Sequence, residues 1–239
     1  MSILPGTFVR GTGVRGTLVR GTMKKLIVYD LDGTLVDTRQ DIVNAINFLR
    51  KTLGMKKLER KVIESYVGYG LTHMISKVVE SDDDAEVERA AKIHRDYYAQ
   101  HMLDNTMLYP GGLAVLEYFK PRKQIVWTNK PNPFASDILS ELGALNYVTE
   151  VVAGNSGYAH KPAPDALLAI MKREKVEPGE CLMFGDSAID VESAKNAGVE
   201  TIVLSHGFTG EDELKSALPH ERILSGFPQV LDLARKNQW

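Results

Sequence analysis

Five short apolar runs, Leu26–Tyr29, Ile125–Trp127, Val148–Ala153, Cys181–Phe184 and Thr201–Leu204, recur along the chain with helical patterns between most of them. None alternates apolar with polar residues, so each suits a strand buried on both faces, and strands joined through helices pair in parallel. An α/β fold follows. The runs end in polar or glycine-containing turns: Asp30, Thr128-Asn129, Gly154-Asn155, Gly185-Asp186 and Ser205-His206. Ligands of open parallel sheets bind beyond the carboxyl ends of the strands, so these turns are expected to share one site.

Between Asp37 and about Leu108 the pattern changes. Helical periodicity covers Ile42–Leu53, Leu71–Val79 and Val87–Met102 with no convincing strand, and the chain returns through Tyr109-Pro110-Gly111-Gly112. The expected architecture is a Rossmann-like parallel sheet core, residues 23–36 and 109–239, with a helical cap domain, residues 37–108, inserted as a candidate lid. Within the insertion, Asp82-Asp83-Asp84 lacks the remaining ligand spacing of a calcium loop and reads as a solvated turn. His94 and His101 could share a helix face, but zinc sites show tighter spacing and further ligands. Ahead of the core, Gly6-Thr7-Phe8-Val9-Arg10 recurs as Gly11-Thr12-Gly13-Val14-Arg15 and Gly16-Thr17-Leu18-Val19-Arg20. An odd period flips successive copies to opposite strand faces and fits no helical stripe, so residues 1–22 read as an extension before an internal start at Met23.

The 239 residues, 44% hydrophobic and 25% charged, are enough to bury a substantial core. Lys and Arg total 29 against 31 Asp and Glu, a net charge of -2, which gives no global basic surface for nucleic acid or an anionic membrane. No apolar stretch approaches the roughly 20 residues that cross a bilayer, and no signal-peptide core is present. The single Cys181 excludes an internal disulfide, and its apolar surroundings favour a buried thiol in a reducing cytoplasm.

Asp30-Leu31-Asp32-Gly33-Thr34 places two carboxylates two residues apart where the first apolar run ends. On an extended chain these side chains face the same way. Clustered carboxylates repel unless a proton or cation relieves them, and hard oxygens suit Mg²⁺; a solvated turn is the alternative. Gly33-Thr34 adds a flexible turn whose N–H groups can meet an anion. Further along stand Thr128-Asn129, Lys161 in His160-Lys161-Pro162-Ala163-Pro164, and Gly185-Asp186-Ser187-Ala188-Ile189-Asp190. Each has a structural reading alone: a turn, a surface lysine before a helix, and a helix N-cap with an acid three residues on.

Together and in this order, the four motifs resemble the haloacid-dehalogenase-like hydrolase superfamily, whose pattern covers the chain from Lys24 to its end. The resemblance implies that Asp30 attacks phosphorus and becomes an aspartyl phosphate, while Asp32 protonates the leaving alcohol and then deprotonates water. It implies Mg²⁺ held by the Asp30 carboxylate, the Asp32 backbone carbonyl and Asp186, with Asp190 supporting. Thr128, Asn129 and Lys161 would hold the phosphoryl group, Lys161 also acting on Asp30. The motifs Tyr29–Thr38, Thr128–Pro131, His160–Pro162 and Gly185–Ser187 are similar to the phosphoglycolate phosphatase branch. So is the cap loop Val67-Gly68-Tyr69-Gly70-Leu71, in which Gly68, Tyr69 and Gly70 are candidate specificity residues. The implied partner is a small phosphorylated substrate, phosphoglycolate first. A sugar-phosphate mutase of the same superfamily keeps both Asp30 and Asp32 and remains a rival. A phosphoryl-accepting receiver module would be shorter, without the large insertion or the need for Asp32.

Overall fold

A computed structural model describes residues 23–219, 221–237 and 239; the extension expected over residues 1–22 lies outside them. The first half of the described chain runs β1 (Leu26–Tyr29), β2 (Val36–Asp37), α1 (Arg39–Thr52), α2 (Arg60–Glu64), α3 (Leu71–Val79), α4 (Asp84–His101), β3 (Met107–Leu108), α5 (Gly112–Tyr118) and β4 (Lys123–Trp127). The second half runs α6 (Phe134–Glu141), β5 (Glu150–Val152), α7 (Asp165–Glu174), β6 (Cys181–Gly185), α8 (Ala188–Asn196), β7 (Glu200–Leu204), α9 (Glu211–Ala217), β8 (Arg222–Leu224) and α10 (Phe227–Asn237). Six strands form one sheet in the order β5-β4-β1-β6-β7-β8, every pair parallel. The Rossmann-like α/β core read from the sequence is the core of the molecule.

All four residues of β1 are completely buried, as a central strand covered on both faces requires. Leu26 and Val28 pack with Leu167, Ile170 and Met171 of α7, whereas Ile27 and Tyr29 pack with Val115 of α5, Ile138 of α6 and Val230 of α10. Burial of each large side chain contributes roughly 1.5–3 kcal/mol, an upper range for the chain's own transfer from water. The strand order reverses at β1: its neighbours β4 and β6 lie on opposite sides, and the crevice beyond their carboxyl ends is the expected binding place.

Two features depart from the sequence reading. The passage into and out of the helical insertion is an antiparallel ribbon, β2 on β3, with Val36 opposite Leu108 and Asp37 opposite Met107. Two residues per strand are too few to show alternation, which hides the ribbon in the sequence. The edge strand β8 was also missed, because Arg222-Ile223-Leu224 is only half-buried and carries no continuous apolar run. Asp83 caps α4 by accepting the Glu86 N–H at 2.8 Å, the turn role expected for that acidic triplet. Among the described residues no helix is long and apolar enough to cross a membrane.

Asp41 fixes the ribbon to α1. Its buried carboxylate accepts from the Asn105 N–H and Nδ2 and from the Thr106 N–H and Oγ1, at 2.8–2.9 Å. Asp41→Ala removes all four acceptor contacts and leaves buried donors unpaired, so it is expected to destabilise the protein by about 3 kcal/mol. Urea unfolding measures this; a loss below about 0.5 kcal/mol, the scale of an ordinary surface change, would contradict it.

Candidate active site

Asp30 follows β1 directly, and its N–H still extends the sheet by donating to the Phe184 carbonyl at 2.9 Å. Beyond it the chain turns sharply, with the N–H groups of Leu35 and Val36 both bonded to the Leu31 carbonyl. Asp30 and Asp32 therefore meet at one cavity through a turn, and not through the extended-strand alternation that the sequence suggested. Gly33 makes this turn possible. Its φ is +85°, and a Cβ there would lie 2.3 Å from Asp186 Oδ2.

Three buried acids, Asp30, Asp186 and Asp190, bring carboxylate oxygens within 4.8 Å of one another. One buried ammonium serves them: Lys161 Nζ lies 2.8 Å from Asp30 Oδ1 and 2.6 Å from Asp190 Oδ1. Asp190 is already full on its other side, where Oδ2 accepts from the Ser187 hydroxyl at 2.6 Å and from the N–H groups of Asp186 and Ser187 at 3.2 Å. Its arrangement is that of an anchor for Lys161 and for the turn after β6. Asp186 is held by Thr34 Oγ1 at 2.8 Å and the Phe208 N–H at 2.9 Å.

Burial pushes the Asp30 carboxyl up to about 7, with Lys161 pulling it down and Asp190 pushing it further up. Asp186 is raised well above the usual carboxylate range, first by burial, then by Asp190 and Asp30. The same surroundings hold Lys161 in its charged form above the usual lysine range, since the two carboxylates outweigh the burial that opposes charge.

Asp32 occupies a different environment. Its Oδ1 accepts from Lys130 Nζ at 2.9 Å and from Thr38 Oγ1 at 2.7 Å. The Lys130 side chain is 7% exposed and held charged by Asp32 against desolvation, and its Nζ lies 4.8 Å from the centre of the Tyr98 ring. Thr128 lines the same cavity and accepts the Lys130 N–H at 3.1 Å on its hydroxyl. The Asn129 carboxamide is engaged elsewhere: Nδ2 donates to the carbonyls of Gly68 and Lys161, and Oδ1 accepts the Lys161 N–H at 2.9 Å. It ties the loop of Lys161 and the insertion loop to the end of β4, so the carboxamide is committed to the protein's own backbone.

The insertion loop reaches the cavity through Gly68 and Gly70, with Val67 and Leu71 beside them. Tyr69 does not. The residue is 47% exposed, its ring tilts against His73 at 5.0 Å, and both flanking glycines have positive φ. His94 lines the cavity whereas His101 pairs with Asp104 at 2.9 Å, and the two are not gathered for a metal. Cys181 is buried and its thiol is pushed up to about 12, an inert core group.

A family model described as haloacid dehalogenase-like hydrolase matches residues 27–204. The chain belongs to the haloacid dehalogenase-like hydrolases. A phosphoglycolate phosphatase of Chromobacterium violaceum is 32% identical over 202 residues, covering 81% of this chain and 90% of the relative. One of Vibrio vulnificus is 31% identical over 222 residues, covering 87% and 95%. Among solved structures, a predicted phosphoglycolate phosphatase from Haemophilus somnus matches with a TM-score of 0.82 at 25% identity, over 88% of this chain and 98% of that one. The likeness of this hydrolase thus runs to the phosphoglycolate phosphatase branch.

Sequence reasoning did not single out Lys130, Thr38 or the Phe208 N–H, and it read Thr34 only for its turn, not for its hydroxyl. Lys130 stood within a motif, but nothing in a sequence pairs it with Asp32, 98 positions earlier. In this hydrolase, Asp190→Ala removes one of the two carboxylates on Lys161 and three acceptor contacts at the turn. It is expected to cost about 3 kcal/mol, the low end for a broken buried ion pair because Asp30 remains. Urea unfolding tests this, and an unchanged midpoint and slope would contradict the anchoring role.

Proposed function

We propose that this hydrolase is a Mg²⁺-dependent phosphatase that cleaves a small phosphate monoester, phosphoglycolate first, through an aspartyl phosphate on Asp30. The observation that carries the reading is charge: three buried carboxylates face one ammonium, Lys161. Hard oxygens crowded in this way, with Asp30 and Asp186 both raised, fit a divalent cation. Mg²⁺ would be held by the Asp30 carboxylate, the Asp32 carbonyl and Asp186, where it would offset the charge of nucleophile and phosphate.

The residues supply the remaining steps. An Asp30 oxygen attacks phosphorus as the ester P–O bond breaks, and Asp32 gives its proton to the departing alkoxide. Asp32 then takes a proton from water, whose oxygen attacks phosphorus; the P–O bond to Asp30 breaks and inorganic phosphate leaves. Both donors to Asp32 fall on Oδ1, which leaves Oδ2 for these transfers. Lys161 faces Asp30 and the transferring group, with the Thr128 hydroxyl and the Asn129 N–H as donors to the equatorial oxygens. Residues 37–108 are assigned as a cap over a core of 23–36 and 109–239, pivoting on the β2–β3 ribbon and excluding water when closed. Selection by its loop falls to Gly68, Gly70 and the apolar residues beside them, in place of Tyr69.

Turnover of phosphoglycolate is expected to require Mg²⁺ and to exceed that of a hexose phosphate and a nucleotide in kcat/KM. Asp30→Asn should lower kcat by at least about a thousandfold with the fold retained. Near-normal multiple turnover by that variant, or full activity after thorough chelation, would contradict the mechanism.

The raised Asp30 carboxyl also sets a pH dependence. Between about pH 4 and pH 7 Asp30 keeps in the metal-free folded chain a proton that the unfolded chain has lost, and the raised Asp186 acts in the same direction, so the contribution of these protons to stability falls as pH rises through that window. Metal displaces these protons and is favoured where they have already left. Added Mg²⁺ is therefore expected to raise Tm more at pH 8 than at pH 5.5. Equal shifts at the two pH values would contradict the assignment of Asp30 and Asp186 as ligands.

A further inference from the structure

Beyond the acids, much of the cavity wall is apolar, with Ile42, Leu71, Met74 and Phe134 contributing. His94 breaks that pattern. It projects from α4, is only 3% exposed, lines the cavity, and has no hydrogen-bond partner on either Nδ1 or Nε2. A buried polar group left unpaired costs about 1–3 kcal/mol, and the large majority of such groups are paired. An imidazole on a pocket wall can find in a ligand the partner that the protein does not give it.

The position of His94 links it to the acid/base side of the site. Its ring stacks on Tyr98, one turn along α4, with centroids 5.4 Å apart and planes 17° from parallel. Lys130 Nζ lies 4.8 Å from the centre of the Tyr98 ring and 2.9 Å from Asp32 Oδ1. The sequence His94, Tyr98, Lys130, Asp32 thus leads from the apolar wall to the carboxylate assigned to the leaving oxygen. Burial, then the charges of Lys130 and Arg95, push the imidazole down to about 3, so it is neutral and presents one N–H donor and one nitrogen acceptor.

We propose that His94 is a specificity-determining residue, whose imidazole hydrogen-bonds a carboxylate or hydroxyl oxygen carried by the small alcohol that leaves phosphorus. The inference rests on the phosphatase reading above and deepens it. An apolar wall discriminates weakly among small groups, whereas a buried hydrogen-bonding group rejects an analogue that leaves it unpaired. His94 would make the cavity select for an oxygen-bearing leaving group rather than for size alone.

Three esters of similar size separate the possibilities: phosphoglycolate with a carboxylate, 2-hydroxyethyl phosphate with a hydroxyl, and ethyl phosphate with neither. Their kcat/KM values are measured with Mg²⁺ for the wild type, His94→Leu and His94→Gln, together with Tm. The wild type is expected to prefer at least one oxygen-bearing ester over ethyl phosphate, and the preferred one identifies the oxygen. His94→Leu should cut that preference about tenfold or more, chiefly through KM, while its Tm stays level or rises because an unpaired polar group has been removed. His94→Gln, which keeps a donor and an acceptor, should retain more of the preference. An unchanged preference in folded His94→Leu overturns the proposal, as does a loss of preference that follows a fall in Tm equally in both variants. A wild type that hydrolyses all three esters equally well overturns the role of His94 and leaves the phosphatase reading standing. A wild type that hydrolyses none of these three, nor any other phosphate ester, removes both.

Discussion

One ammonium among three buried carboxylates is the constraint around which the site is arranged. Removing an ion from water costs several kcal/mol even after relaxation, so each charge needs partners at short range. Lys161 satisfies Asp30 and Asp190 together, and Asp190 in turn gathers the Ser187 hydroxyl and two N–H groups. Asp186 depends on Thr34 and the Phe208 N–H. Approach this close needs backbone without side chains: a Cβ at Gly33 or at Gly207 would lie 2.3 Å from an Asp186 atom, and one at Gly185 equally near Asp190. The remaining repulsion, expressed in the raised Asp30 and Asp186, would draw a cation to this place.

The sheet was legible because parallel strands leave continuous apolar runs, and five of its six strands were read within a few residues of their ends. The candidate acids and Lys161 were legible because their turns interrupt those runs. Side-chain direction was not. Tyr69, a candidate specificity residue in the sequence, is exposed and lies outside the cavity lining, and the Asn129 carboxamide is occupied by Lys161 and Gly68. Long-range pairs such as Lys130 with Asp32 and Asp41 with Thr106 join separate elements and leave no local pattern.

The insertion and the core contribute different chemistry to one cavity. The strand ends bring charge, fixed by hydrogen bonds within the core, whereas α1, α3 and α4 bring Ile42, Met74, His94 and Tyr98. Polar links join the halves beside the acids, the Asn129 amide donating to the Gly68 carbonyl and the Thr38 hydroxyl to Asp32. On the proposed function, this division would let the reacting groups stay constant while the wall facing the leaving group set the choice of ester.

The central claim is that an Asp30 oxygen attacks phosphorus, and trapping the resulting acyl phosphate tests it most directly. Enzyme turning over phosphoglycolate with Mg²⁺ is quenched and treated with borohydride, which reduces an acyl phosphate to the alcohol, and the peptides are mapped by mass spectrometry. The account predicts reduction at residue 30 alone, dependent on substrate and on Mg²⁺. Turnover with an unmodified residue 30, or with the reduced carboxyl at another position, would contradict it.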